Sequence, residues 1–322
     1  MEERPLGRSG LRVSRLALGC GNFGGIGSAP DLFGKGENED EAFALMDAAR
    51  ELGINVFDTA DAYGGGRSET FIGHWLRDRG RDGLLVSSKV FHSVVGDPSD
   101  RGLARDRILA RIDDSLERLG VEQLDMYLIH EPDPDTPLEE TLGALDELVL
   151  AGKVRGIGAS NVDAPYLRET LDISERNGWV RFEWVQNEYS LLERSSEQEL
   201  FDLCAAEGIG FMAFSPLAGG WLTGKYRRGD PYPDGSRMRL RPGPYGMFEN
   251  DLTFDALERF ERAAAERGVE LATVALAWVL AHPQVTAVVV GPRRPAHLEP
   301  ARAALELELS PRERDELAEL FA

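Results

Sequence analysis

The chain has 322 residues, 42% of them hydrophobic, a composition that builds a large folded core rather than a disordered chain. Its formal charge of −20 at pH 7 speaks against a nucleic-acid-binding face, which needs clustered basic residues, and predicts a solvated acidic surface. No apolar run approaches the roughly 20 residues of a membrane span, the opening Met-Glu-Glu-Arg-Pro has no secretory pattern, and Cys20 and Cys204 form neither a metal pattern nor a disulfide framework, so no membrane partner is expected and a reducing, cytoplasmic setting is.

In chain order, Leu6–Ser14 reads as a β-hairpin with Gly7 and Ser9-Gly10 as turn residues. Eight apolar runs then recur: Val13–Cys20, Val56–Ala60, Leu84–Val90, Met126–His130, Gly156–Asn161, Glu183–Ser190, Gly210–Leu217 and Ala287–Gly291. Most are unbroken rather than alternating, as in strands buried on both faces of a parallel sheet. Helical patterns lie between them. Ala42, Leu45, Met46, Ala49 and Leu52 share one face, as do Ile108, Ile112, Leu116 and Leu119. Thr136-Pro137-Leu138-Glu139 and Ser310-Pro311-Arg312-Glu313 each read as an N-cap, an N1 proline and a capping-box glutamate.

Successive runs are one βα unit apart until the last. The gap from 217 to 291 is 74 residues and holds two helices, Phe254–Arg267 and Leu271–Ala281, after a long loop, Ala218–Thr253. Eight strands alternating with helices predict an α/β fold, a (β/α)8 TIM barrel preceded by the hairpin. The rival is a doubly wound open sheet. Its G-x-G-x-x-G turn is matched by Gly19-Cys20-Gly21-Asn22-Phe23-Gly24, but no helix opens there. No repeat, low-complexity tract or linker divides the chain, so residues 1–322 are expected to form one domain.

Active sites of such barrels sit at the C-terminal strand ends. The polar residues there are Asp58 with Tyr63 just beyond, Lys89, His130, Ser160-Asn161, Gln186-Asn187 and Ser215. Lysine is scarce: only Lys35, Lys89, Lys153 and Lys225 occur among 36 basic residues, which singles out Lys89 after its apolar run. A partly desolvated ammonium needs a carboxylate, and Asp58 is the nearest candidate. An ammonium near Tyr63 would lower the phenol's pKa, so that it exchanges a proton with a carbonyl or alcohol. His130 would donate to the same oxygen. Taken singly, the Asp is as well read as a helix cap, the Tyr as packing and the His as a core residue. Together the four types form a catalytic set, with Asp61 left as scaffold.

These stretches resemble the aldo-keto reductase family. The resemblance is carried by Gly53-Ile-Asn-Val-Phe-Asp-Thr-Ala-Asp-Ala-Tyr63, Ser88-Lys89, Leu128-Ile-His130, Gly158-Ala-Ser-Asn161, Val185-Gln-Asn-Glu-Tyr-Ser190, and Phe214-Ser-Pro-Leu-Ala-Gly219 through Gly224-Lys-Tyr226. It runs in order from Leu6 to about Leu298. It implies a tetrad of Asp58, Tyr63, Lys89 and His130, with Tyr63 as general acid/base. It also implies NADPH, with NADH as the alternative, extended across the barrel mouth. Ser160, Asn161 and Gln186 would hold the carboxamide and Phe214 would stack under the nicotinamide. Ser215, Leu217 and Gly219 would line the pyrophosphate path, with Lys225 near the phosphates. Gly291, where the last strand ends, belongs to the same set, and Arg293 is assigned the 2′-phosphate. Pro300 and Ala301 stand where the family often has a Glu and an Asn, and they offer adenine no side-chain hydrogen bonds.

The implied activity is reduction of a small-molecule aldehyde or ketone, or oxidation of the corresponding alcohol or sugar. The alternatives are a nucleotide-sensing regulatory subunit with little turnover, and a Schiff-base aldolase using Lys89. The loop Ala218–Thr253, with Tyr226, Tyr232, Tyr245, Met247 and Phe248, is expected to wall the cleft. Substrate, direction of reaction and oligomeric state are left open by the sequence.

Overall fold

The computed structural model describes residues 1–97 and 99–322. Two short strands, β1 (Glu3–Pro5) and β2 (Arg12–Ser14), form an antiparallel hairpin. Eight further strands follow: β3 (Leu16–Gly19), β4 (Val56–Asp58), β5 (Leu85–Val90), β6 (Leu124–Ile129), β7 (Val154–Ser160), β8 (Trp184–Glu188), β9 (Gly210–Phe214) and β10 (Val285–Val290). They close a barrel in chain order, β10 pairing with both β9 and β3, and every barrel pair is parallel. The expected TIM barrel is thus the observed one. Strands β6 and β10 are buried at every residue, which is why Met126–Ile129 and Ala287–Val290 within them read as unbroken apolar runs.

The first run, Val13–Cys20, divides. Val13 belongs to the hairpin and Leu16–Gly19 to the barrel, with Arg15 between. The Arg15 guanidinium is buried and donates to the carbonyls of Leu280, Val285 and Thr286, tying the hairpin to the foot of β10. Leu6, Leu11 and Val13 pack with Val56, Met126, Trp184 and Met212 inside the barrel. Full burial of each such side chain contributes about 1.5–3 kcal/mol. The hairpin therefore plugs the N-terminal mouth and leaves the other end for chemistry.

The helices α1 (Glu39–Glu51), α2 (Arg67–Arg79), α3 (Arg105–Leu119), α4 (Leu138–Leu150), α5 (Ala164–Asn177) and α6 (Leu200–Glu207) each follow a barrel strand. The predicted stripes are their inner faces: Ala42, Leu45, Met46 and Ala49 on α1, and Ile108, Ile112 and Leu119 on α3, are buried. Between β9 and β10 lie α7 (Arg237–Leu240), α8 (Asp251–Glu266) and α9 (Leu271–Leu280), and the chain ends in α10 (Glu299–Ala304) and α11 (Pro311–Glu319). Helix α11 opens with the expected capping box, Ser310 with Glu313. Helix α4 does not. Its first residue is Leu138, and Thr136 spends its hydroxyl on Asp133 instead, at 2.7 Å.

The loop between β9 and α8 crosses the C-terminal mouth. Trp221, Tyr226, Tyr232 and Phe254 form an aromatic cluster at its base. Arg237 donates to Asn22, and Arg293 donates both to Glu37 at 2.7 Å and to the Gly235 carbonyl at 2.8 Å. The segment is thereby fastened to the β3–α1 loop and to the residues after β10. Of the five aromatic and Met residues expected to wall the cleft, only Tyr245 lines it. Tyr226 and Tyr232 anchor the loop, Phe248 is core and Met247 is exposed.

Candidate active site

A cleft of about 910 Å³ runs along the C-terminal strand ends. Its wall includes Asp58, Tyr63 and His130, then Ser160, Asn161, Gln186, Phe214, Ser215, Leu217, Gly219, Lys225, Gly291 and Arg293. Every residue expected to touch cofactor or substrate therefore meets one space. Lys89 lies just behind that wall, 1% exposed.

Tyr63 is placed by a glycine turn. Strand β4 stops at Asp58, and Tyr63 opens a short turn in which Gly64 has φ of 60°. A Cβ at Gly64 would stand 2.6 Å from the Phe23 carbonyl oxygen, so only glycine allows this approach. The Tyr63 ring then lies against Gly21, with its hydroxyl 3.5 Å from His130 Nε2. That distance is too long for a strong hydrogen bond. Neither group is committed to the other, and both can turn to an oxygen placed between them.

Behind Tyr63, the Lys89 ammonium donates to Asp58 Oδ2 and to the Thr59 carbonyl, both at 2.8 Å. Its nitrogen is 5.3 Å from the Tyr63 ring centre. Gln186 donates to the other Asp58 oxygen at 2.9 Å, so both carboxylate oxygens are held. Burial by itself lowers the Lys89 pKa, but Asp58 and Tyr63 outweigh it and the ammonium is held above its usual range. For Tyr63 the balance differs from the sequence expectation. Lys89 does draw the phenol down, but burial is the larger influence and the net direction is upward. His130 is pushed well below the usual imidazole value, by burial first and then by Lys89, and is therefore neutral at pH 7. Its Nδ1 has no partner among the described residues, whereas Nε2 faces Tyr63. A neutral ring carrying its proton on Nε2 is a donor aimed at the reacting position.

The far part of the cleft is lined by constrained backbone and by cations. Asn161 and Ser215 have φ of 57° and 50°, a left-handed conformation that costs a non-glycine residue about 1–3 kcal/mol. Both stand at strand ends in the cleft wall, where such strain marks a positioned backbone. Ser160 donates to the Gln186 carbonyl at 2.8 Å and Asn161 to the His130 carbonyl at 2.8 Å, which locks three strand ends together. A side chain at Gly220 would overlap the Lys225 ammonium. Lys225 is drawn below its usual pKa by burial and by the nearby Arg237 and Arg293. Three cations thus converge, and Glu37 is the carboxylate paired with one of them. This fits a polyanion such as a pyrophosphate. Arg237, the first residue of the short helix α7, and Glu37, in the β3–α1 loop, belong to no motif and were not anticipated from the sequence. The Arg237-to-Asn22 contact spans 215 residues and leaves no local signal.

Asp61 lies underneath, fully buried, its backbone N–H donating to the Lys89 carbonyl. Neither carboxylate oxygen has a partner among the described residues. Burial, reinforced by the charge of Glu69, pushes its pKa up to about 8. The folded value exceeds the unfolded one of about 4, so the fold favours the protonated acid. Its contribution to stability is full below about pH 4 and declines towards about pH 8. Asp61→Asn is therefore expected to melt at a temperature less sensitive to pH across that window than the wild type. Parallel pH slopes for the two proteins in thermal unfolding would show that Asp61 is ionised in the fold.

A closed parallel barrel with titratable groups gathered at the C-terminal strand ends has the architecture of barrel enzymes. The chain belongs to the Aldo/keto reductase family, whose sequence profile matches residues 15–322. That family uses nicotinamide cofactors. The chain is 37% identical to uncharacterized oxidoreductase YrpG of Bacillus subtilis, over 96% of this chain and 92% of the relative. It is 36% identical to a probable voltage-gated potassium channel subunit beta of Oryza sativa, over 90% and 87% respectively. It is 33% identical to the NADH-specific methylglyoxal reductase of Escherichia coli, over 96% and 95%. Among the described residues, no helix is long and apolar enough to cross a membrane.

Proposed function

We propose that the protein is an NAD(P)H-dependent reductase of a small aldehyde or ketone, with Tyr63 as the proton donor. One observation carries this reading. The Tyr63 hydroxyl and the neutral His130 ring face each other across 3.5 Å at the cleft, with the Lys89–Asp58 pair directly behind. Phe214, Ser160, Asn161 and Gln186 would hold a nicotinamide and its carboxamide, and that group would supply the hydride. His130 Nε2–H holds the carbonyl oxygen, and Tyr63 donates its proton as negative charge develops there. A phenol with a raised pKa is protonated at neutral pH, the form reduction requires. Lys89 then offsets the phenolate that remains, and Asp58 and Gln186 hold Lys89 in place.

The aldolase alternative is disfavoured on physical grounds. Lys89 is an ammonium with two acceptors and 1% exposure, whereas a Schiff-base nucleophile must be neutral and reachable. The regulatory-subunit alternative is favoured by the likeness to probable channel beta subunits. It predicts nucleotide binding with negligible turnover. A panel of aldehydes, ketones and sugars run with NADPH and with NADH separates the two. Carbonyl-dependent consumption of nucleotide supports the reductase, and tight binding without consumption supports the sensor.

Arg293 is assigned the 2′-phosphate of NADPH, although here its guanidinium rests on Glu37 and Gly235. Arg293→Ala should raise the Kd for NADPH by about 10-fold or more, the scale of a charge-assisted hydrogen bond. NADH, which lacks the phosphate, should lose far less. Fluorescence titration with both nucleotides checks this. Equal losses would mean that Arg293 acts only as the tie between Glu37 and the loop. Pro300 and Ala301, both in the cleft wall, give adenine only apolar contact, so binding of either nucleotide should be modest.

A further inference from the structure

We propose that Arg241 is a binding residue for an anionic group on the substrate, so that the preferred carbonyl compounds carry a carboxylate. This rests on the reductase reading of the same site and adds the substrate class.

Arg241 follows α7 on the loop that crosses the barrel mouth. A side chain at Gly27 would overlap Arg241 Nη1, so the guanidinium lies against that glycine. Gly27 belongs to the structure that seats Tyr63. Its N–H donates to the Gly21 carbonyl at 2.6 Å, and its carbonyl accepts from the N–H of Gly64 at 3.0 Å, the residue after Tyr63. The Tyr63 ring in turn packs on Gly21. Arg241 is thereby fixed beside the turn that presents the proton donor.

Its guanidinium is uncommitted. Among the described residues it forms no ion pair and donates no side-chain hydrogen bond, and only its backbone N–H is used, to the Arg237 carbonyl. Its neighbours contrast with it. Arg237 donates to Asn22, Arg293 is paired with Glu37, and Arg239 with Asp234. Arg15 and Arg237 also lack an acid, but each has acceptors, whereas the half-buried Arg241 has none among the described residues. Long-range attraction for an anion is absent, so local charge must supply it.

The surroundings agree. His92 packs edge-on against His130, with ring centres 4.7 Å apart. Burial first, then Arg241, Arg107 and Arg101, hold His92 down at about 4. No carboxylate contributes to that balance. Arg107 is occupied by Asp100 and by the carbonyls of His92 and Asp100, and Arg101 is exposed. Arg241 is the arginine of this group that is both sheltered and free to form a forked contact with a carboxylate.

The test compares para-carboxybenzaldehyde with para-tolualdehyde, alike in shape and different in charge. Wild type and Arg241→Gln are assayed for kcat/KM on both. Benzoate and benzamide are also titrated calorimetrically against each protein with NADP⁺ bound. Arg241→Gln should lose about 10- to 100-fold in kcat/KM on the carboxylate, mostly in KM, and less than a tenth of that on the neutral aldehyde. Arg241→Lys should recover part of the loss. Benzoate should bind wild type more tightly than benzamide does, and this preference should vanish in Arg241→Gln. Equal losses on both aldehydes overturn the proposal. Turnover of para-tolualdehyde with no carboxylate preference overturns it too, while the reductase reading stands. If no aldehyde is turned over, benzoate binding decides. Its dependence on Arg241 upholds the anion site while the reductase reading falls, and its independence overturns the anion site.

Discussion

Replacing Tyr63 with phenylalanine is expected to lower kcat by about 10²–10⁴-fold, the scale of general acid catalysis, while the Kd for nucleotide stays within a few-fold. The reason is local. The ring keeps its packing on Gly21, and the turn through Gly64 is unchanged, so only the hydroxyl is lost. Among the described residues that hydroxyl approaches His130 only loosely, at 3.5 Å, and otherwise faces the Lys89 ammonium. The groups assigned to the nucleotide lie on β7, β8 and β9 and in the segments after β7, β9 and β10. Binding and turnover should therefore separate. Steady-state kinetics and a nucleotide titration on the same preparation check it. Near-normal turnover by Tyr63→Phe would remove the hydroxyl from the mechanism.

Lys89→Met should be at least as damaging to activity, and it should also destabilise the fold. Asp58 is 4% exposed and would keep only Gln186 as a side-chain partner, while the Thr59 carbonyl would lose its donor. Breaking one side of a buried ion pair typically costs about 3–5 kcal/mol, a large part of the stability of most domains. The catalytic effect has a direction. Burial already raises the Tyr63 phenol, and Lys89 is the main group drawing it back. Without the ammonium the phenol rises further. Alcohol oxidation, which needs the phenolate as base, should then suffer more than carbonyl reduction. Thermal melts and pH profiles in both directions test this. An unchanged melting temperature together with an unchanged profile would break the link between Asp58, Lys89 and Tyr63.

How far the sequence could be read follows from where each signal is stored. Runs such as Met126–Ile129 carry their burial in their own composition, so the barrel was legible without any long-range information. The four residues proposed for catalysis could be picked out because each lies at or just beyond the C-terminal end of a strand, and lysine is rare enough for Lys89 to stand out. Arg15 was not legible as a strand boundary. Its reason for being there is three carbonyls on and before β10, 265 or more residues away. Thr136 was misread as a cap because Asp133 competes for its hydroxyl. The direction of the Tyr63 shift was missed for a different reason. The sequence shows which charges are near a phenol, but not how thoroughly its surroundings exclude water, and here exclusion is the larger influence. Glu37, Arg237 and Arg241 were invisible because their meaning lies in contacts between segments far apart in the chain.

In the proposed reaction a hydride passes from the bound nucleotide to a carbonyl carbon while Tyr63 protonates its oxygen. The most direct measurement uses NADPH carrying deuterium at the reactive C4 position, an aldehyde substrate, and mass spectrometry of the alcohol formed by wild type and by Tyr63→Phe. Wild type should place one deuterium on the alcohol carbon, and Tyr63→Phe should form the same labelled product far more slowly. An alcohol without the label, or equal rates for the two proteins, would contradict that reaction.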